Sequence, residues 1–212
     1  MCGRVIQSSG PLRYAIVDGM NVRDSRVHNY PSRWNAAPSQ ELLVIRRNHR
    51  NGEVSLDPLR WGLIPNWCND PTGGRKPINA KCETVRDLPS FRDAYRARRC
   101  IVPVDGFFEW KAIKGQRAKQ PYAIAMKNGA PFGLASIWKN RKDPVSGEWA
   151  RAFSIETETF PIANQNGGRN ECNFRRSSWK CKIVLPTAHS FKCLISASNR
   201  VVSCRRYPRA AR

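Results

Sequence analysis

Apolar positions in this chain fall into short runs separated by Gly, Pro and Asn, not into long helical periods. Leu42-Leu43-Val44-Ile45 is one compact run, and the Asn51-Gly52 pair beyond it is a type I′ hairpin signal. Val54-Ser55-Leu56 opens a return strand that leads toward Arg60-Trp61-Gly62-Leu63-Ile64-Pro65. A series of strands is then predicted at 101–104 and 107–110, at 122–126, at 132–138 after Asn128-Gly129, and at 150–155 after Ser146-Gly147. That order reads as a meander. Helical patterning is confined to residues 12–17, after Pro11 and before Asp18-Gly19, and to 89–99, where Phe91, Ala94 and Tyr95 share a face. Residues 20–40 and 66–80 are polar and broken by Pro and Gly, so both are expected as loops. The fold class that follows is α+β: a mostly antiparallel curved sheet or barrel-like core with a few flanking helices.

The pattern changes near residue 160. Beyond it lie 11 Lys+Arg, one acid (Glu171) and four of the eight cysteines, with no hydrophobic period past Lys182-Ile183-Val184-Leu185. A folded domain at 1–159 is therefore expected, followed at 160–212 by a divergent basic segment that orders poorly. The 212 residues suit one core of this size.

Charge adds a partner class. Lys+Arg number 37 against 16 Asp+Glu, a formal net charge of +21, and such an excess favours a polyanion by release of its counterions. Aromatics interleave the basic stretches (Trp34, Trp61, Trp67, Phe91, Tyr95, Phe107, Phe108), which would suit stacking on unpaired bases. The eight cysteines, at 2, 68, 82, 100, 172, 181, 193 and 204, show no Cys-x-x-Cys spacing, so neither a zinc site nor a redox motif is expected. The internal ones are read as reduced. No apolar run approaches the ~20 residues of a membrane span, and the N-terminus lacks a signal-peptide pattern. A cytoplasmic monomer without membrane contact or cofactor is the expectation, nucleoid-associated when bound to DNA.

Candidate chemistry begins at Met1-Cys2-Gly3-Arg4. Removal of Met1 would leave Cys2 with an α-amine and a thiol on adjacent carbons, groups that titrate near pH ~8 and ~8.5. Such a 1,2-aminothiol condenses with an aldehyde to a Schiff base, and the thiol then closes on the same carbon to give a thiazolidine.

Five blocks in uninterrupted order resemble the SOS response-associated peptidase family: Met1-Cys2-Gly3-Arg4, Trp34-Asn35-Ala36-Ala37-Pro38-Ser39-Gln40, Arg60-Trp61-Gly62-Leu63-Ile64-Pro65, Ile78-Asn79-Ala80-Lys81-Cys82-Glu83-Thr84, and the stretch from Arg99 to Trp110. The resemblance covers roughly 1–158. It implies a protein that senses abasic sites in single-stranded DNA, removes its own Met1, and crosslinks the ring-opened sugar aldehyde through Cys2. Carried over by position, Cys2 is the nucleophile, and Asn79 and Glu109 are the other matched active-site residues. Glu109, between Phe108 and Trp110, has the partly apolar setting in which a carboxyl of raised pKa can shuttle protons near neutrality. Arg4 and Lys81 are candidate phosphate contacts, Lys81 standing where the family generally has Arg and so lacking its bidentate fork. Trp61 and Trp67 either wall the DNA groove or fill the core.

One departure stands out. The family's His-Asp-Arg-Met-Pro block after the last strand of the series has no match here, and His189 has neither its neighbours nor its position. Lost resemblance, lost acids and gained cysteines point to a shifted reading frame or a divergent end. Two alternatives to crosslinking stay open: an N-terminal-nucleophile peptidase acting on itself or other peptides, and a non-catalytic single-stranded DNA binder.

Overall fold

The computed structural model describes residues 2–15, 29–47, 52–64, 76–142, 147–159, 179–181, 183–184 and 202–206. The first half holds β1 (Val5–Gln7), the short helix α1 (Pro11–Ala15), β2 (Arg33–Ala36), β3 (Glu41–Arg47), β4 (Val54–Trp61), β5 (Asn79–Lys81) and helix α2 (Arg92–Ala97). Then come β6 (Arg99–Val104), β7 (Gly106–Lys111), β8 (Gln120–Met126), β9 (Phe132–Lys142) and β10 (Trp149–Thr159). Beyond residue 160, β11 (Trp179–Cys181), β12 (Ile183–Val184) and β13 (Val202–Arg206) pair with β10, β9 and β8.

Two sheets result. One runs β13-β8-β7-β1-β2. In the other, β10-β4-β3-β6-β9 closes on itself because β9 pairs back to β10, making a five-strand barrel to which β5, β11 and β12 are added. The expected antiparallel core is present, with two exceptions: β10 runs parallel to β4 and to β5. The expected meander is not continuous. β6 lies in the barrel and β7 in the other sheet, and β9 sits between β6 and β10 rather than beside β8. Closing the barrel removes exposed sheet edges, a gain that local hairpin order cannot supply.

Barrel closure also explains why β3 and β6 read as unbroken apolar runs. Alternate residues point inward and outward, and both directions are covered. Leu42, Val44, Leu59, Trp61, Val102, Val104, Leu134, Trp138, Phe153 and Ile155 fill the interior together with Cys2, Val5, Phe107 and Ile124 from the first sheet. Leu43, Ile45, Leu56 and Ile101 face outward against Tyr14 of α1. On another outer face, Leu63, Ala80, Val85 and Ile137 are covered by Phe91 and Ala94, with Tyr95 partly buried beside them, the helical face anticipated from sequence. Each fully buried Leu or Phe contributes about 1.5–3 kcal/mol.

β1 is only three residues long, yet two side-chain hubs fix it. Gln7 is fully buried; its Nε2 donates to the Leu43 carbonyl at 3.0 Å and the Pro103 carbonyl at 2.8 Å, while its Oε1 accepts the Leu43 N–H at 2.8 Å. It thereby splices β1 to two barrel strands. The Asp105 carboxylate accepts from the backbone N–H groups of Ser8 and Ser9, from both their hydroxyls and from the Tyr14 hydroxyl, at 2.6–3.0 Å. Burial alone would raise the Asp105 pKa, but these donors outweigh it and hold the carboxyl below its ordinary value.

Two tests follow. Gly106 lies where β7 crosses β8, and an added Cβ would stand 2.8 Å from the Ile124 carbonyl oxygen, a backbone atom that cannot swing aside. Gly106→Ala is expected to lower stability by about 1–3 kcal/mol in urea denaturation. Because folding lowers the Asp105 pKa, its stabilisation is complete above the unfolded value near ~3.9 and is lost as pH falls through the folded one. Asp105→Asn should be less stable than the parent at pH 7 and should show a shallower loss of stability below about pH 4 in acid titrations followed by circular dichroism.

Candidate active site

The pairing that seats β1 also seats Cys2. Val5 lies opposite Phe107 and Ile6 opposite Gly106, and the Phe108 N–H donates to the Arg4 carbonyl at 3.0 Å. Continuing that antiparallel register sets Gly3 across from Glu109. Cys2 is fully buried and belongs to the same cluster as Trp61, Phe107, Phe153 and Ile155. A Cβ built on Gly3 meets nothing within 4 Å, so the space directly beside Cys2 is open.

Asn79 reaches this point from the barrel. Its Nδ2 donates to the Cys2 carbonyl at 3.0 Å, across 77 residues of sequence. The amide is held from below: Ile78 O accepts both the Trp61 indole N–H at 3.0 Å and the Ile155 N–H at 3.1 Å. Asn79 Oδ1 is buried and has no hydrogen-bond partner among the described residues. A buried acceptor of this kind is costly unless a donor arrives, and an amine or hydroxyl of a bound reactant can be that donor.

Glu109 is half-buried on β7, one strand from Gly3, with Tyr122 opposite on β8. Burial raises its pKa; the nearby amino-terminal charge and the Trp110 backbone hydrogen bond draw it back only in part. A carboxyl held above its ordinary range can exchange protons with an amine or an oxygen brought beside it.

The other sequence candidates separate. Arg4, two residues from Cys2, is half-buried. Lys81 is exposed and, two residues along β5, projects to the same side as Asn79. Trp61 is corrected from groove wall to core: it is fully buried, stacks on Phe153 with ring centroids 6.2 Å apart, and positions Asn79 through Ile78. Trp67 lies outside the described residues. The exposed indoles near β1 are instead Trp34 on β2 and Trp110 on β7, at 68% and 37% exposure. Sequence alternation gave no signal for this: polar neighbours on a strand (Arg33 and Asn35; Glu109 and Lys111) ordinarily mark the residue between them as inward-facing. Among the described residues no cluster of three His, Cys, Asp or Glu could hold a metal, and no helix is long and apolar enough to cross a membrane.

Residues 1–164 match the family described as SOS response associated peptidase. The abasic site processing protein YoaM of Bacillus subtilis is 41% identical over 110 residues, which are 52% of this chain and 47% of YoaM; the chain thus spans about half the length of such relatives. YedK of Escherichia coli K12, also an abasic site processing protein, is 33% identical over 159 residues, 74% of this chain and 67% of its own. A crystal structure of a phage-related protein from Bordetella bronchiseptica superposes with a TM-score of 0.59 at 31% identity, covering 74% of this chain and 69% of that one. Another Bordetella bronchiseptica protein, 20% identical, shares the fold over 98% of this chain and all of its own, with a TM-score of 0.69. A family match over residues 1–164 of the 212 leads to one conclusion: the chain belongs to the SOS response associated peptidase family.

Proposed function

We propose that this chain binds single-stranded DNA at an abasic site and captures the ring-opened sugar aldehyde through Cys2 once Met1 has been removed. The observation that carries the reading is the convergence on one aminothiol of Asn79, bonded to the Cys2 carbonyl, and Glu109, across from Gly3. Loss of Met1 turns the Cys2 nitrogen from an amide into an amine. That amine adds to the aldehyde carbon; Glu109 takes the proton released from nitrogen and returns it to the carbinolamine oxygen, which leaves as water. The Cys2 sulfur then attacks the C=N carbon, its proton passes to nitrogen, and the ring closes with net loss of one water. Asn79 Oδ1 accepts from the amine or the sugar hydroxyl. Arg4 and Lys81 take the flanking phosphates, and Trp34 and Trp110 offer faces to unstacked bases. The chain acts as a monomer in the cytoplasm, on nucleoid DNA. With the family's His block unmatched, Glu109 carries most of the proton traffic, so capture is slow.

Intact-mass measurement after incubation with a single-stranded oligonucleotide bearing one abasic site should show protein minus Met1 plus DNA minus water, and Cys2→Ala should show none. Peptide turnover without an adduct would instead mark a peptidase, and salt-sensitive binding without either would mark a plain DNA binder. Glu109→Gln should slow adduct formation by about 10²–10⁴-fold. The parent's rate should inflect with pH above the ordinary glutamate range, and the Gln variant should lack that inflection.

A further inference from the structure

Helix α2 buries Phe91 and Ala94 against the barrel, with Tyr95 at the edge of that contact, and two cations that the Cys2 chemistry does not use meet at this edge. Arg86 comes from the turn before α2, and Arg99 is the first residue of β6. The Arg86 guanidinium carbon lies 5.6 Å from the centre of the Tyr95 ring, and that of Arg99 lies 5.8 Å from the same point. Both distances fall inside the ~6 Å reach of a cation–π contact. Arg86 Nε also donates to the Tyr95 hydroxyl at 3.4 Å. Tyr95 is half-buried and both arginines are exposed, so the core holds the ring while the charged ends reach solvent.

Several features set this pair apart from a merely solvated basic face. Neither arginine makes an ion pair among the described residues, although Asp87 acts on Arg86 from the next position. The Tyr95 bond uses only Nε of Arg86, which leaves its two terminal nitrogens to donate to an oxyanion as a fork. An exposed arginine ordinarily loses side-chain freedom when it binds; the shared ring has already restricted both of these. The surrounding charge is positive. Residues 81–99 hold six Lys and Arg against three acids, Glu83, Asp87 and Asp93. Asp93 lies 3.7 Å from Arg92, and the buried Glu156, with its Oε2 3.8 Å from Cys82 Sγ, adds a fourth acid without removing the excess. The backbone relates the pair to Cys2. Asn79 and Lys81 are two residues apart on β5, and helical turns follow, in which the Val85 N–H donates to the Lys81 carbonyl at 2.8 Å and the Leu88 N–H to that of Thr84 at 3.1 Å. A two-residue strand step and a five-residue helical step keep the Arg86 Cα within about 15 Å of the Asn79 Cα, with Lys81 between them along the chain.

We infer that Arg86, Tyr95 and Arg99 form a contact surface for backbone phosphates of the single strand on the Lys81 side of the abasic sugar, a few nucleotides beyond those that Arg4 and Lys81 hold. The inference rests on the reading of the chain as a single-stranded DNA binder and not on the capture chemistry. Full-length protein would be titrated, over a salt series, with single-stranded oligonucleotides bearing a tetrahydrofuran abasic analogue, which has no aldehyde. The oligonucleotides would be lengthened on the 5′ flank alone or on the 3′ flank alone. Lengthening one flank should tighten binding by the parent, and Arg86→Gln with Arg99→Gln should lose about tenfold on that flank while changing the other little. Two lost contacts should also reduce the steepness of the log–log salt dependence by about 1.4, at about 0.7 per single-strand phosphate. Arg86→Lys with Arg99→Lys, which keeps the charge, should retain that steepness. Both side chains are exposed, so thermal melts of these variants should match the parent's. An unchanged affinity and salt slope in the Gln variant overturns the surface. An equal loss on both flanks overturns it too, since that would mark a change in net charge alone. Absence of salt-sensitive binding by the parent would sink the DNA reading itself, and this surface with it. Failure of adduct formation on a true abasic site, with the flank effect intact, would count against the Cys2 chemistry only.

Discussion

Everything around Cys2 depends on three residues of backbone being held between two sheets. β1 is too short to persist on its own ladder hydrogen bonds, since isolated short strands are marginal in water. Gln7 and the Asp105 carboxylate supply the rest. Gln7 replaces the backbone pairing that β1 does not make with β3 and β6, and Asp105 gathers the chain just after β1 onto the β6–β7 corner. Neither group is near the reacting atoms. Both are polar side chains placed where only complete hydrogen bonding makes burial tolerable, and complete bonding fixes a single register. A slip of one residue would turn Val5 outward and move Cys2 away from Asn79.

Given that anchor, the barrel and the site divide the labour. The barrel supplies Asn79 on a three-residue strand whose position is set by Trp61 and Ile155 from within the core. The other sheet supplies Glu109. Cys2 occupies the seam, with its neighbours drawn from both sheets. Trp61 therefore influences the site through the Ile78 carbonyl and never touches a base. The same inward–outward alternation that buries Trp61 turns Arg60 outward.

Sequence patterning read the long elements well and the short ones poorly, for a common reason. β3, β4, β6, β7, β9 and β10 announce themselves because each buries enough apolar side chains to leave a local signature, and the face of α2 was equally plain. β1, β2, β5 and β13 are three to five residues long, and their stability comes from distant partners such as Phe107, Ile155 and Ile124. β2 is the clearest example: with Trp34 and Asn35 exposed, it carries the composition of a loop and is a strand only because β1 lies beside it. The site was legible only through resemblance. No spacing rule links residues 2, 79 and 109, and Trp61 could not be placed inside or outside until the barrel closed over it.

The Asp105 and Gln7 bonds also set an order of events during synthesis. The Pro103 and Asp105 partners lie 96 and 97 residues on, so β1 leaves the ribosome, with only β2 and β3 soon to follow, long before β6 and β7 exist to hold it. At about 5–20 residues per second, the amino terminus waits on the order of 5–20 s for β6 and β7. An unmasked aminothiol would spend that interval open to any small aldehyde in the cell. With Met1 in place its nitrogen is an amide and cannot form the Schiff base. Under the proposed capture chemistry, the initiator methionine would thus be a chemical protecting group over the interval in which Cys2 has no fold to shield it.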